Sequence, residues 1–144
     1  MSRSDEDEVR SANQQFYRAF ESLALAQMDA AWDHEGQVTC VHPGWPLAEG
    51  WPAVRQSWDT IFSNTPAIRF EVSGEHIDVR GELAWVVCIE RISSGDDRGA
   101  VLATNVLRRG SDGRWRLVHH HGSPYVAPRP QRLPAPAPPG KLVN

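Results

Sequence analysis

From Pro66 to Ser123 the chain is a series of apolar-alternating runs separated only by short polar turns, and that pattern leaves little choice beyond a meander of neighbouring antiparallel strands. The runs are "AIRFEVSGEHIDVRG", "LAWVVCIERIS", "GAVLATNVLRR" and "RWRLVHHHGS", with turns at Gly81-Glu82, Asp96-Asp97 and "GSDG". In the first run Ile68, Phe70 and Val72 share one parity, whereas Ile77 and Val79 resume on the other. A side-chain period of two cannot change phase without an extra residue, so Ser73-Gly74-Glu75 predicts a β-bulge that bends the strand sharply. The run "LAWVVCIE" is apolar on both parities and needs a cover on each face. It closes on Glu90 and Arg91, which point to opposite faces; one of them looks inward, and parity alone does not say which.

The preceding half reads as helical. Val9, Ala12, Phe16, Phe20 and Leu23 recur at spacings of three and four and form one apolar stripe. Ser4 supplies an N-cap, and the acids Asp5 to Glu8 suit the positive end of the helix dipole. "MDAAWDHEG" predicts a second, short helix stopped at Gly36, "QVTCVH" a strand, and "WPAVRQSWDTIFSN" a third helix. In that last segment Pro52 suits the first turn, and Val54, Trp58, Ile61 and Phe62 make one face. Helices followed by a strand meander define an α+β class.

A chain of 144 residues can bury one core and is too short for two. The net charge of -3 comes with no face-wide excess of Lys or Arg, so nucleic acid is not an expected partner; "RR" at Arg108-Arg109 and "RWR" at Arg114–Arg116 read as solvated hairpin ends. No apolar run approaches the roughly 18 residues of a membrane span, and the acidic start does not resemble a signal peptide. Cys40 and Cys88 lie in apolar strand-like runs without CxxC spacing, which points to reduced, buried thiols and a cytoplasmic location; a disulfide between them is the alternative. Seven of the eleven prolines fall from Pro124 onward, so residues 124–144 are expected as an extended tail beyond a domain of residues 1–123.

Two stretches carry the candidate chemistry. In "TCVHPGWPLAEGW" an apolar run delivers His42, a proline stops it, and two tryptophans follow. On the last strand, strict alternation would put Trp115, Leu117, His119 and His121 on one face and Arg116, Val118 and His120 on the other.

The element order, with "TCVHP" followed by "EG", then "TNVLRR" and "DGRWRLVHHHGS", resembles the nuclear transport factor 2-like superfamily, which includes SnoaL-like and ketosteroid isomerase-like proteins. The wording is similar above all to the association (hub) domain of calcium/calmodulin-dependent protein kinase II and its stand-alone bacterial relatives. The resemblance spans about Val9 to Ser123. It implies a cone: a strongly curved antiparallel sheet wrapped around the long N-terminal helix and two further helices, with a ligand cavity on the concave side and a homodimer partner on the outer sheet face.

It also implies roles. The hub-like histidine pair corresponds to His119 and His121, which would face the cavity while His120 points away. Trp45, Trp58 and Trp32 would line the cavity's apolar part. The leading expectation is a small organic ligand, a carbonyl or carboxylate compound, with no cofactor and no metal. An isomerase or dehydratase is the alternative: in ketosteroid isomerase-like sequences the residue before the matching proline is the carboxylate that moves the proton, and here it is His42. Tyr17 and Asn105 would then donate to the developing oxyanion. A hub-like oligomerisation module is a further reading. A three-imidazole metal site from His42, His119 and His121 is one more, which the spacing does not demand.

Overall fold

The computed structural model describes residues 3–126; of the tail expected at residues 124–144, Pro124 belongs to the last strand, the Tyr125 amide donates to the Ala100 carbonyl, and residues 127–144 lie outside the described residues. Helices α1 (Asp5–Ser22) and α2 (Leu25–Ala31) are followed by strands β1 (Thr39–Val41) and β2 (Ala48–Glu49), helix α3 (Trp51–Ser63), and the long strands β3 (Arg69–Arg80), β4 (Leu83–Ser94), β5 (Asp97–Arg109) and β6 (Trp115–Pro124). Ser4 caps α1 as expected, its hydroxyl accepting from the Asp7 amide at 3.1 Å. Leu23 takes a left-handed conformation (φ 55°) and ends that helix. The expected second helix, "MDAAWDHEG", is displaced: it begins earlier, at Leu25, and stops at Ala31, because Trp32 turns away to bridge Leu117 and the Asp33 amide donates to the Leu117 carbonyl.

The strands form one sheet in the order β2-β1-β6-β5-β4-β3. All neighbours are antiparallel except β1 and β6, which run parallel, so the sheet is mixed rather than wholly antiparallel. The first strand is only three residues long and sits beside the last one, a pairing that hairpin logic cannot foresee. The bulge expected at Ser73-Gly74-Glu75 is present: the β3–β4 register slips between Ser73 and His76, and Gly74 adopts φ +62°. A second slip, between Val106 and Leu107 on β5, inserts Val118 as an extra residue on β6.

The concave face of the sheet presents Ala84, Val86, Cys88 and Glu90 from β4, Ala103, Asn105 and Leu107 from β5, and Leu117 from β6, all buried. Helices α1 and α3 cover it with Val9, Phe16, Phe20, Val54 and Trp58. Rings fill the space between: Phe16 and Trp58 lie 5.6 Å apart, Phe20 and Trp58 4.8 Å, and Phe20 and Phe70 4.5 Å. Their edge-to-face and tilted contacts add to the burial of their area.

Candidate functional site

Polar side chains interrupt this aromatic core at one level, where α1 crosses β4, β5 and β6. Asn13 and Tyr17 come from the buried stripe of α1, Glu90 and Cys88 from β4, Asn105 from β5 and His120 from β6. They form a connected set. The Tyr17 hydroxyl donates to Glu90 Oε2 at 2.6 Å and lies 3.4 Å from Cys88 Sγ. Asn105 Nδ2 donates to Tyr17 Oη at 3.2 Å and to Asn13 Oδ1 at 2.8 Å, and its Oδ1 meets His120 Nδ1 at 2.5 Å. Asn13 Nδ2 in turn donates to Glu75 Oε2 at 3.1 Å, on the β3 bulge.

His42 stands at the C-terminal end of β1, its ring 6.2 Å from that of His120. Its Nε2 lies 2.9 Å from Ser57 Oγ on α3. The Ser57 hydroxyl donates to the Val54 carbonyl at 2.6 Å, so the imidazole Nε2–H is the donor in the contact with Ser57. Glycine at 122 eases the approach of the corner bearing His42 to β6; a Cβ there would stand 3.0 Å from Val101 Cγ1 and 3.3 Å from Pro43, so these side chains would have to give way slightly. Above His42 lies the Trp45 ring at 5.2 Å, edge-on and 38% exposed, as a lip.

Burial sets the electrostatics. It pushes the Glu90 carboxyl up to about 7, offset in part by the Tyr17 hydrogen bond. It lowers His42 to about 4 and His120 well below its usual value, the latter also through repulsion by the neighbouring imidazoles. Burial and the Glu90 charge raise the Tyr17 phenol; burial raises Cys88 to about 11 and Cys40 further, so neither thiol is a nucleophile at neutral pH. Both cysteines are free. At neutral pH the interior therefore holds two uncharged imidazoles and one carboxyl poised between its two forms.

The structure brings Tyr17, Asn105 and His42 to the same side of the sheet. The expected orientation of the histidine run is reversed: His120 faces inward at 2% exposure, whereas His119 and His121 stand on the convex face. The cause is the extra residue Val118, which shifts the parity after Leu117. His119 is held there by Thr39 Oγ1 at 2.7 Å, and the His119 and His121 rings are 6.0 Å apart. His42 and that pair thus lie on opposite faces, which removes the three-imidazole metal reading. Trp32 and Trp58 are fully buried core residues, and of the three nominated tryptophans only Trp45 is accessible.

Sequence reasoning left Glu90 undecided and did not single out Asn13, Ser57 or His120 as inward. The signal for two of them is present in the sequence: Asn13 and Ser57 are polar residues at positions of otherwise apolar helical stripes. A groove of about 1220 Å³ lies elsewhere, around the β5–β6 hairpin and the start of α1. Three of its arginines, Arg108, Arg109 and Arg116, are engaged by Asp33, Asp5 and Asp112, as expected of a solvated hairpin end.

Comparison with known proteins agrees with this architecture. The profile of the SnoaL-like domain matches residues 9–128. F-box protein SKIP8 of Arabidopsis thaliana is 32% identical over 115 residues, 80% of this chain and 48% of that protein, so the chain spans about half the length of the curated relative it matches. A solved structure of an NTF2-like family protein from Streptomyces avermitilis superposes with a TM-score of 0.79 at 38% identity, over 85% of this chain and 97% of that one. An association domain-like protein from Thiobacillus denitrificans, named for calcium/calmodulin-dependent protein kinase type II, gives 0.76 at 34% identity over 81% and 94%. A ketosteroid isomerase-like protein from Erwinia carotovora atroseptica shares the fold, with a TM-score of 0.71 at 16% identity over 88% and 100%. With most of its length matched by the domain profile and its three helices laid on one bent sheet, this chain belongs to the SnoaL-like domain family.

Proposed function

We propose that this chain is a SnoaL-like binding domain for a small neutral organic molecule bearing carbonyl or hydroxyl groups, entering past Trp45 toward His42 and the Tyr17–Glu90–Asn105 set. The observation that carries this reading is Glu90: a carboxyl 3% exposed, among apolar residues, held by a phenol. Among the described residues no Lys or Arg forms an ion pair with it. A buried acid of this kind weakens the fold, and such groups concentrate at functional sites. A carboxylate ligand fits poorly, because the interior already holds Glu90 and both Asn105 N–H groups are engaged. The expected result from native mass spectrometry of freshly purified protein is a retained small molecule that Glu90→Leu loses. Protein without any bound molecule, assembled beyond a dimer, would favour the hub-like module instead.

A proton-transfer enzyme is the second reading, and one observation moves its centre from His42 to Glu90. With Nε2 engaged by Ser57 and its basicity lowered to about 4, His42 is a weak base. Glu90, near 7, can take and return a proton at neutral pH. The Streptomyces relative's name offers a dehydratase assignment as a proposal, which fits such chemistry.

The assembly is proposed as a homodimer through the convex sheet face, where Trp85 and Leu102 are 39% and 38% exposed on adjacent strands. Free thiols in the interior suit the cytoplasm. Trp85→Asp is expected to convert the dimer to a folded monomer in sedimentation velocity; an unchanged sedimentation coefficient would place the interface elsewhere.

A further inference from the structure

The hydrogen bonds that begin at Glu75 have a direction, and it reaches His120. A carboxylate has lone pairs and no N–H, so the contact of Glu75 Oε2 with Asn13 obliges Asn13 to turn its NH₂ toward the bulge. Asn13 Oδ1 is then left to accept, and Asn105 turns its own NH₂ to it and to Tyr17 Oη. Asn105 Oδ1 must therefore receive a proton from His120, whose Nδ1 is the atom in contact. Three amide and imidazole orientations, each ambiguous alone, follow from Glu75 at the protein's edge, whose side chain is 16% exposed, and the Tyr17 hydroxyl, its proton given to Glu90 Oε2, independently requires Asn105 to donate to it.

The consequence falls on the other ring nitrogen. Among the described residues His120 Nε2 makes no hydrogen bond, and it is not among the fully enclosed atoms without a partner, which are the Nε1 groups of Trp32, Trp58 and Trp115. It is turned away from Asn105, in a ring lined by Phe16 at 5.0 Å, Trp58 at 5.8 Å and His42 at 6.2 Å. We propose that two carboxylates, Glu75 through Asn13 and Glu90 through Tyr17, turn Asn105 so that it locks His120 as the Nδ1–H tautomer and leaves Nε2 a fixed acceptor for a hydroxyl or N–H group of the bound molecule. Glu75 is in this sense a positioning residue and His120 a ligand-contacting one. Only the ligand half of this inference rests on the binding function proposed above; the tautomer stands independently of any ligand. The site selects by polarity: a neutral donor such as an alcohol or phenol is accepted, whereas a group of the same shape without the proton leaves Nε2 unsatisfied.

The test is the two-bond ¹H–¹⁵N correlation spectrum of the labelled full chain, which distinguishes the two neutral tautomers and the imidazolium. His120 is expected as a single Nδ1–H form. In the double variant Glu75→Gln with Glu90→Gln, whose amides can either donate or accept, both tautomers should become populated while the other resonances keep their dispersion. Adding Asn13→Asp to that variant restores a proton-less acceptor one step further in and should restore the single tautomer; a merely structural role for Glu75 predicts no such rescue. Phenol, titrated into the wild-type protein, should move Nε2 of His120, whereas anisole, which lacks the donor, should not. An Nε2–H or doubly protonated His120 in the wild type, or a tautomer indifferent to the double variant, would overturn the relay. Equal responses to phenol and anisole, or none to either, would overturn the acceptor role; a small molecule retained in native mass spectrometry would then show that binding survives without it.

Discussion

Trp58→Ala is expected to destabilise the protein by about 3–5 kcal/mol, which for a domain of this length lowers Tm by on the order of 10 °C. The indole is fully buried and joins α3 to both other walls of the core. It meets Phe16 and Phe20 of α1, Phe62 of its own helix, and the His42 and His120 rings at 4.6 and 5.8 Å. Truncation removes the apolar area and leaves a cavity that rigid neighbouring rings cannot close. The same change at Trp45, which packs on His42 from the rim, should cost under about 1 kcal/mol, as for accessible positions generally. Urea unfolding of both variants checks the contrast. Comparable losses would mean that the lip, not α3, anchors the corner that bears His42.

The second large effect depends on pH. Glu90→Gln should leave stability nearly unchanged at pH 4.5 and raise it by up to about 3 kcal/mol at pH 8. The sign follows from the raised carboxyl. Below its ordinary value of 4.5 the group is protonated in both the folded and the unfolded chain, and its burial carries no ionisation penalty. Between that value and about 7 it ionises only when unfolded, so stability falls as pH rises; above about 7 the penalty is complete. Glutamine still accepts the Tyr17 hydrogen bond and never ionises.

The two buried histidines act in the opposite sense. Their lowered values mean that the unfolded chain binds protons first as pH drops below about 6.5, and stability declines from there toward about 4 for His42. The wild type should therefore be most stable near pH 6.5 to 7, whereas Glu90→Gln should hold a plateau to pH 8. Urea titrations across this range supply the measurement. A difference between the proteins that did not vary with pH would show that the Glu90 carboxyl is not held near neutrality.

Much of this architecture is legible in the sequence because it rests on local rules. The Ser4 cap, the apolar stripes of α1 and α3, and the bulge at Ser73-Gly74-Glu75 follow from hydrogen-bond needs and side-chain periods that act over a few residues. The tight turns that order β3 to β6 do so as well. The site is less legible. Tyr17, His42 and Asn105 can be nominated from the chain, but their partners are remote: 73 residues separate Tyr17 from Glu90, and 92 separate Asn13 from Asn105.

The histidine run shows the limit most sharply. In "VHHH" no residue marks where alternation breaks, because any member of a strand can be extruded as a bulge when its partner strand requires it. The β5 register made that member Val118, turned His120 into the core and sent His119 and His121 to the convex face. Likewise only packing against α1 settled that Glu90 and not Arg91 looks inward. The sequence alone determined the elements and their order, since those depend on near neighbours along the chain. The tertiary structure decided which polar groups meet and which protons they share, since register and hydrogen-bond direction are properties of strands and helices already brought together.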